Sequence, residues 1–173
     1  MRLCVDDVKD AKNMHDSKDL DRIDRALLRA LQRDARLTQE QLAEQVGLSA
    51  SAVQRRLRRL EQIGAIRGYT AVLEPTALGL GLSAVISVRL DKHRADNLRS
   101  PLDAFRAAVA GWPEVVECLA LTGEMDYVLR VHVSDMEHYA RFVLETLLRH
   151  ESVADLKSSF VLAQIKPYAG YAL

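Results

Sequence analysis

The sequence predicts an α+β protein in two modules, a helical one near the N-terminus and a βαββαβ one after it. Three observations carry that prediction. Apolar residues recur at helical spacing as far as Leu60, then at every second position from Ala84. Two helix-capping signals bracket Gly47, as two helices joined by a tight turn require. Charge is also divided along the chain. Residues 18–68 hold 11 Lys+Arg against 7 Asp+Glu, whereas residues 69–173 hold 10 against 13. A net charge of zero over 173 residues conceals a basic first half joined to an acidic second half.

Leu20, Ile23, Leu27, Ala30 and Leu31 form the apolar stripe of a first helix over 20–34, with Arg22, Arg25, Arg29 and Arg33 on its other side. Thr38 with Gln41 is a capping box that opens a second helix. That helix buries Leu42, Ala43 and Val46 and stops at Gly47, a residue suited to the left-handed conformation past a helix end. Ser49 caps a third helix over 50–63 that buries Val53, Leu57 and Leu60.

Ala43, Gly47 and Val53 fall where a helix-turn-helix needs them. The small Ala lets the helices approach, the Gly makes the turn, and Val53 packs the third helix back. That helix presents Ser51, Gln54, Arg55, Arg58 and Arg59, donors of the kind that reach phosphates and base edges in a major groove. Thr38, Gln39 and Ser49, at the two helix starts, complete the candidate DNA-binding set. A generic three-helix bundle with a solvated basic face is the plainer alternative.

Residues 69–73 read as a strand closed by Pro75, and 78–82, with glycines at 79 and 81, as a hinge within a 69–82 linker. Ile86, Val88 and Leu90 then line one face of a strand, Ser87 and Arg89 the other. Ser100-Pro101 opens a helix that buries Leu102, Phe105 and Val109. Strands follow over 115–121 and 127–133, with Thr122-Gly123 between them. Ser134 and Glu137 read as a capping box for a helix lined by Met136, Tyr139, Val143 and Leu147. A last strand covers 153–165. This order gives a ferredoxin-like sheet over residues 83–173 with both helices on one face. Cys118, Ala120, Val128 and Val161 are expected on the uncovered face, which calls for dimerisation.

Other classes find little support. The five histidines make no metal-spaced pair, and no nucleophile motif, phosphate loop or paired carboxylates occur. No catalytic residue, metal or cofactor is therefore expected. An RNA-binding βαββαβ domain would need aromatics on its central strands, and only Tyr127 is present. No apolar run reaches the roughly 18 residues that span a bilayer, so no membrane partner is expected. Two cysteines, Cys4 and Cys118, make no zinc pattern and suit a reducing cytoplasm. Residues 1–17, acidic and basic in alternation, read as a disordered tail without a signal peptide, and Met14 offers an alternative start.

The motifs as a set resemble the Lrp/AsnC (leucine-responsive/asparagine regulator) family of transcriptional regulators. The matching text is Leu20-Asp21-Arg22-Ile23-Asp24, Asp34-Ala35-Arg36, Leu42-Ala43-Glu44-Gln45-Val46-Gly47-Leu48-Ser49, Arg56-Leu57-Arg58-Arg59-Leu60-Glu61 and Gly64-Ala65-Ile66-Arg67-Gly68-Tyr69, with Thr122-Gly123-Glu124-Met125-Asp126-Tyr127 in the second half. The resemblance implies a winged helix-turn-helix over 18–68 and a RAM/ACT-like C-terminal domain that binds a small amino-acid-like effector. It also implies homodimers on two-fold related half-sites of double-stranded DNA, higher assemblies such as octamers, and a cytoplasmic, nucleoid-associated setting. The effector site it implies is Gly123, Glu124, Met125, Asp126 and Tyr127, with Ser158 from a neighbouring subunit. Glu124 stands where the family more often has Asp. A Gly-rich turn can offer N–H groups to an α-carboxylate, and Asp126 can accept from an α-ammonium. A solvated turn is the plainer reading of the same residues, and a small-molecule sensor with a vestigial DNA module is a third reading of the whole.

Overall fold

A computed structural model describes residues 20–91 and 100–173. The expected tail at 1–17 lies outside the described residues. The chain divides into two compact units, one of residues up to Ala71 together with Lys166–Leu173, the other Val72–Ile165.

The first unit is built from α1 (Arg22–Arg33), α2 (Gln39–Val46) and α3 (Ala50–Gln62). Each starts on a side-chain cap, because the first N–H groups of a helix have no partner within it. Thr38 and Gln41 form the expected reciprocal box, Thr38 Oγ1 accepting from Gln41 N at 3.3 Å and Gln41 Oε1 from Thr38 N at 2.9 Å. Ser49 Oγ accepts from Ala52 N at 3.3 Å. α1 carries a second box, Asp21 with Asp24, that sequence reading missed. Gly47 ends α2 at φ 68°, a left-handed conformation that disfavours any other residue. Leu27, Ala30, Leu42, Ala43 and Val53 form the core between the helices.

Tyr69–Leu73 is not a strand. Val72 is 94% exposed and Leu73 62%, and no described strand pairs with them. An apolar β-rich run specifies extended backbone, but a strand also needs a partner ladder. The linker glycines have local reasons. Gly79, at φ 76°, closes a short 3₁₀ turn over Pro75–Leu78. A Cβ on Gly81 would sit 3.1 Å from the Ser134 carbonyl oxygen.

The second unit is a four-stranded antiparallel sheet in the order β2-β3-β1-β4. Its strands are β1 (Leu82–Leu90), β2 (Val115–Ala120), β3 (Tyr127–Val133) and β4 (Val153–Phe160). With α4 (Pro101–Val109) and α5 (Met136–Arg141), which runs on as a π-helical turn over Phe142–Leu147, they give the expected βαββαβ order. Alternation decides the faces. Ala84, Ile86, Val88 and Leu90 of β1 and Tyr127, Leu129, Val131 and Val133 of β3 are buried with Phe105, Tyr139, Phe142 and Leu147.

Three local expectations change. Cys118 and Ala120 pair with Leu129 and Tyr127, so they lie on the helix-covered face, and burial pushes the Cys118 thiol up. The open face instead centres on Val85, Ser87, Val128 and Leu119, flanked by the pairs Arg130–Glu117 (3.1 Å) and Arg89–Asp155 (3.5 Å). β4 stops at Phe160, which pairs with Ala84. Val161 N still reaches Ser83 O at 2.9 Å, but Leu162 and Ile165 are 99% and 91% exposed. The cap of α5 is Asp135, not Ser134. Its Oδ1 accepts from His138 N at 2.8 Å, and an ionised carboxylate is the stronger acceptor at a helix start.

Candidate functional site

The outer side of α3 collects most of the candidate DNA contacts. Ser51, Arg55 and Arg58 are exposed and Gln54 is half-buried. Gln39, Gln54 and Arg58, three predicted polar residues, line one cleft together with Leu31 of α1, Leu42 of α2 and Glu61 of α3. Ser49 Oγ, which caps α3, lies 3.1 Å from Ser51 Oγ. Thr38 Oγ1 accepts from Gln41 N as a cap, and its hydroxyl also meets the Glu40 carboxylate. Arg59 differs from the others, because its Nη1 lies 3.0 Å from Asp24 Oδ2.

The second candidate site, the turn between β2 and β3, is opened by Gly123 at φ 118°, a value that L side chains rarely adopt. Glu124 is exposed, with its carboxylate 4.0 Å from Lys157 Nζ. Met125 is half-buried. Asp126 anchors the turn on β1. Its Oδ2 accepts from Leu90 N at 2.8 Å, and its own N–H donates to Val88 O at 2.9 Å. That carboxylate thus has a structural task, which makes Asp126 a poor site for a clean test of ligand binding. Tyr127 is buried against Phe105 (ring centroids 4.9 Å apart), and its hydroxyl meets no partner among the described residues. Ser158 stands on β4 in register with Ile86, across β1 from β3, and its hydroxyl accepts from Tyr139. Within one chain, therefore, Ser158 faces α5 and not the turn.

Residues 20–67 match the family model of a winged helix-turn-helix DNA-binding domain, and residues 83–171 that of the Lrp/AsnC ligand binding domain. The chain belongs to the Lrp/AsnC family. The leucine-responsive regulatory protein of Salmonella typhimurium is 40% identical to it over 149 residues, 86% of this chain and 88% of the relative. A transcriptional regulator from Neisseria meningitidis, solved as its complex with L-Met, is 45% identical, with a TM-score of 0.79 over 86% of this chain and 93% of that one. An AsnC family transcriptional regulator from Agrobacterium tumefaciens is 34% identical, also with a TM-score of 0.79, over 88% and 97%. These relatives are transcriptional regulators, not enzymes, and this Lrp/AsnC chain is a DNA-binding transcriptional regulator with an amino-acid ligand domain.

Two features of this Lrp/AsnC regulator escaped the sequence reading. Asp24 is buried (1% exposed) and takes guanidinium groups from Arg56 and Arg59. A signal was present, since acids at 21 and 24 face arginines at 56 and 59, each pair one helical turn apart. The other feature is the return of Lys166–Leu173 to the first unit. There Gln32 clasps the Tyr171 backbone, accepting from its N–H at 2.5 Å and donating to its carbonyl at 3.1 Å, while Arg29 donates to Leu173 O at 3.2 Å. No local pattern announces such a contact, which joins residues 139 apart.

Proposed function

We propose that this regulator reads two-fold related half-sites of double-stranded DNA as a homodimer, or a higher assembly such as an octamer. α3 is the recognition helix, with Gln54, Arg55 and Arg58 as its principal contacts and Thr38, Gln39, Ser49 and Ser51 beside them. Arg59 adjoins the same surface with its guanidinium held by Asp24. The observation that carries this reading is the pairing pattern on α3: Arg55 and Arg58 are exposed and enter no ion pair among the described residues. Cations left without a partner on a helix outside the core are suited to phosphates and base edges.

The effector is a small amino acid, bound at Gly123, Glu124, Met125, Asp126 and Tyr127 with Ser158 of a neighbouring subunit completing the site. The support is the turn at a φ suited to glycine, the Tyr127 hydroxyl without a partner among the described residues, and the relatives themselves, one leucine-responsive by name and one solved with L-Met. Ligand bound between subunits shifts the population of assemblies, and a coupling of about 1–3 kcal/mol changes DNA affinity roughly 5–150-fold. The working place is the cytoplasm, on the nucleoid. Among the described residues no helix is long and apolar enough to cross a membrane.

A thermal-shift screen of amino acids, followed by DNA titrations with each hit, tests this reading. We expect L-leucine or L-methionine to raise the melting temperature and change DNA affinity, and Gly123→Val to abolish both effects. A hit that acts equally on Gly123→Val moves the site elsewhere. No hit at millimolar ligand leaves a regulator without an amino-acid effector.

A further inference from the structure

Helix α3 carries four arginines, and the fold divides them into two pairs. Arg55 and Arg58 stand exposed on one side. Arg56 and Arg59 turn to α1, where both reach the same carboxylate. Asp24 Oδ1 takes Arg56 Nη1 at 2.8 Å, and Asp24 Oδ2 takes Arg59 Nη1 at 3.0 Å. Arg56 Nη1 also lies 2.7 Å from Asp21 Oδ2. Asp21 and Asp24 are the N-cap and N3 residues of α1, so the capping box of one helix is also the anion that holds another.

Burial gives this arrangement its force. Asp24 is 1% exposed, and a carboxylate tolerates burial only where cations and N–H donors satisfy its oxygens. The two guanidinium groups leave α3 one turn apart and converge on one point. Two such links fix both the height of α3 along α1 and its roll about its own axis.

We propose that Asp24 is a positioning residue for DNA recognition: it sets the roll of α3 and withholds Arg56 and Arg59 from the phosphate backbone. The proposal rests on the reading of α3 as the DNA-contacting helix. Its consequence is a trade between strength and discrimination. Phosphate contacts add affinity on any sequence, whereas base contacts from a helix held at one roll distinguish sequences. A clamped α3 offers fewer cations to the backbone and keeps its base-reading side in one orientation.

Salt titrations of DNA affinity on the full chain test this. The variants are Asp24→Asn, Arg59→Gln and Arg55→Ala, each on a short mixed-sequence duplex and on a duplex selected from random DNA. Each phosphate contact changes the slope of log affinity against log salt by about 0.9. Arg55→Ala should be shallower by that amount, or lose affinity for the selected duplex alone, and Arg59→Gln should match the wild-type slope. Asp24→Asn should be steeper on the mixed duplex by about 0.9 for each arginine released, with a smaller ratio of selected to mixed affinity. A merely structural loss would weaken both duplexes and leave the slope unmoved.

Asp24→Asn with the slope and ratio of wild type overturns the proposal. Should Asp24→Asn not fold, Arg59→Gln decides: a slope shallower by about 0.9 puts Arg59 on the DNA and overturns the clamp. Arg55→Ala at the wild-type slope and with wild-type affinity for both duplexes removes the reading of α3, and the clamp with it. Arg55→Ala and Arg59→Gln both shallower removes the clamp alone.

Discussion

The guanidinium of Arg56 lies 2.8 Å from the carboxylate of Asp24, one residue at the start of α1 and the other midway along α3. The pair spans 32 residues of sequence and is the inner member of a network that also includes Asp21 and Arg59. It joins the helix that opens the DNA-binding unit to the helix that carries its candidate contacts.

Arg56→Met should destabilise the N-terminal unit by about 3 kcal/mol. Removing one partner of a buried ion pair costs about 3–5 kcal/mol, and the lower end applies because Arg59 remains on Asp24. Urea titration of wild type and variant checks this, and a change under about 1 kcal/mol would show the pair to be a surface contact.

Acid should loosen the same unit. The Asp24 backbone N–H, with Arg56 adding to it, holds the Asp21 carboxyl below its ordinary value, and the Arg36 backbone N–H does the same for Asp34. A depressed folded pKa contributes stability that is present above the ordinary carboxylate value and is lost as pH falls through the depressed one. Stability should therefore decline with acidification below the ordinary carboxylate range, and Asp21→Asn should flatten that decline. Melting temperatures across an acid series, wild type against Asp21→Asn, are the measurement. Parallel curves would remove Asp21 from the account.

Ser158→Ala should cost about 1 kcal/mol without any ligand, because Tyr139, 7% exposed, loses the acceptor of its hydroxyl. Tyr139→Phe should cost a similar amount and the double variant little more than either one. If Ser158→Ala is neutral in stability but abolishes an amino-acid response, the serine acts on the ligand and not on Tyr139.

Val128→Lys should break the proposed dimer. Val128 lies on the sheet face away from α4 and α5, paired with Leu119 and Ser87, and Leu119 is 48% exposed. A lysine buried there in an interface would have no partner. Light scattering at micromolar protein gives the answer, and an unchanged mass would put the interface elsewhere.

The fold was legible where one chain segment carries its own signal. Thr38 with Gln41, Ser49, and Gly47 in its left-handed conformation announce helix ends locally, and the alternation in Ile86, Val88 and Leu90 announces a buried strand face. What escaped depends on partners. Tyr69–Leu73 has strand composition but no ladder, and Cys118 takes its face from its register with Leu129, which composition does not fix. The site divides in the same way. Arg55 and Arg58 were read from α3 alone, whereas the engagement of Arg59 with Asp24 and of Asp126 with Leu90 needed the folded chain.

The central claim is that α3 reads DNA, and its most direct test is the affinity of Arg55→Ala and Arg58→Ala for a selected duplex at matched salt. Each variant should either flatten the salt slope by about 0.9, as a phosphate contact does, or lose about 1–3 kcal/mol at a single base-pair position, as a base contact does. Wild-type affinity and slope in both variants, with the fold intact, would contradict the account.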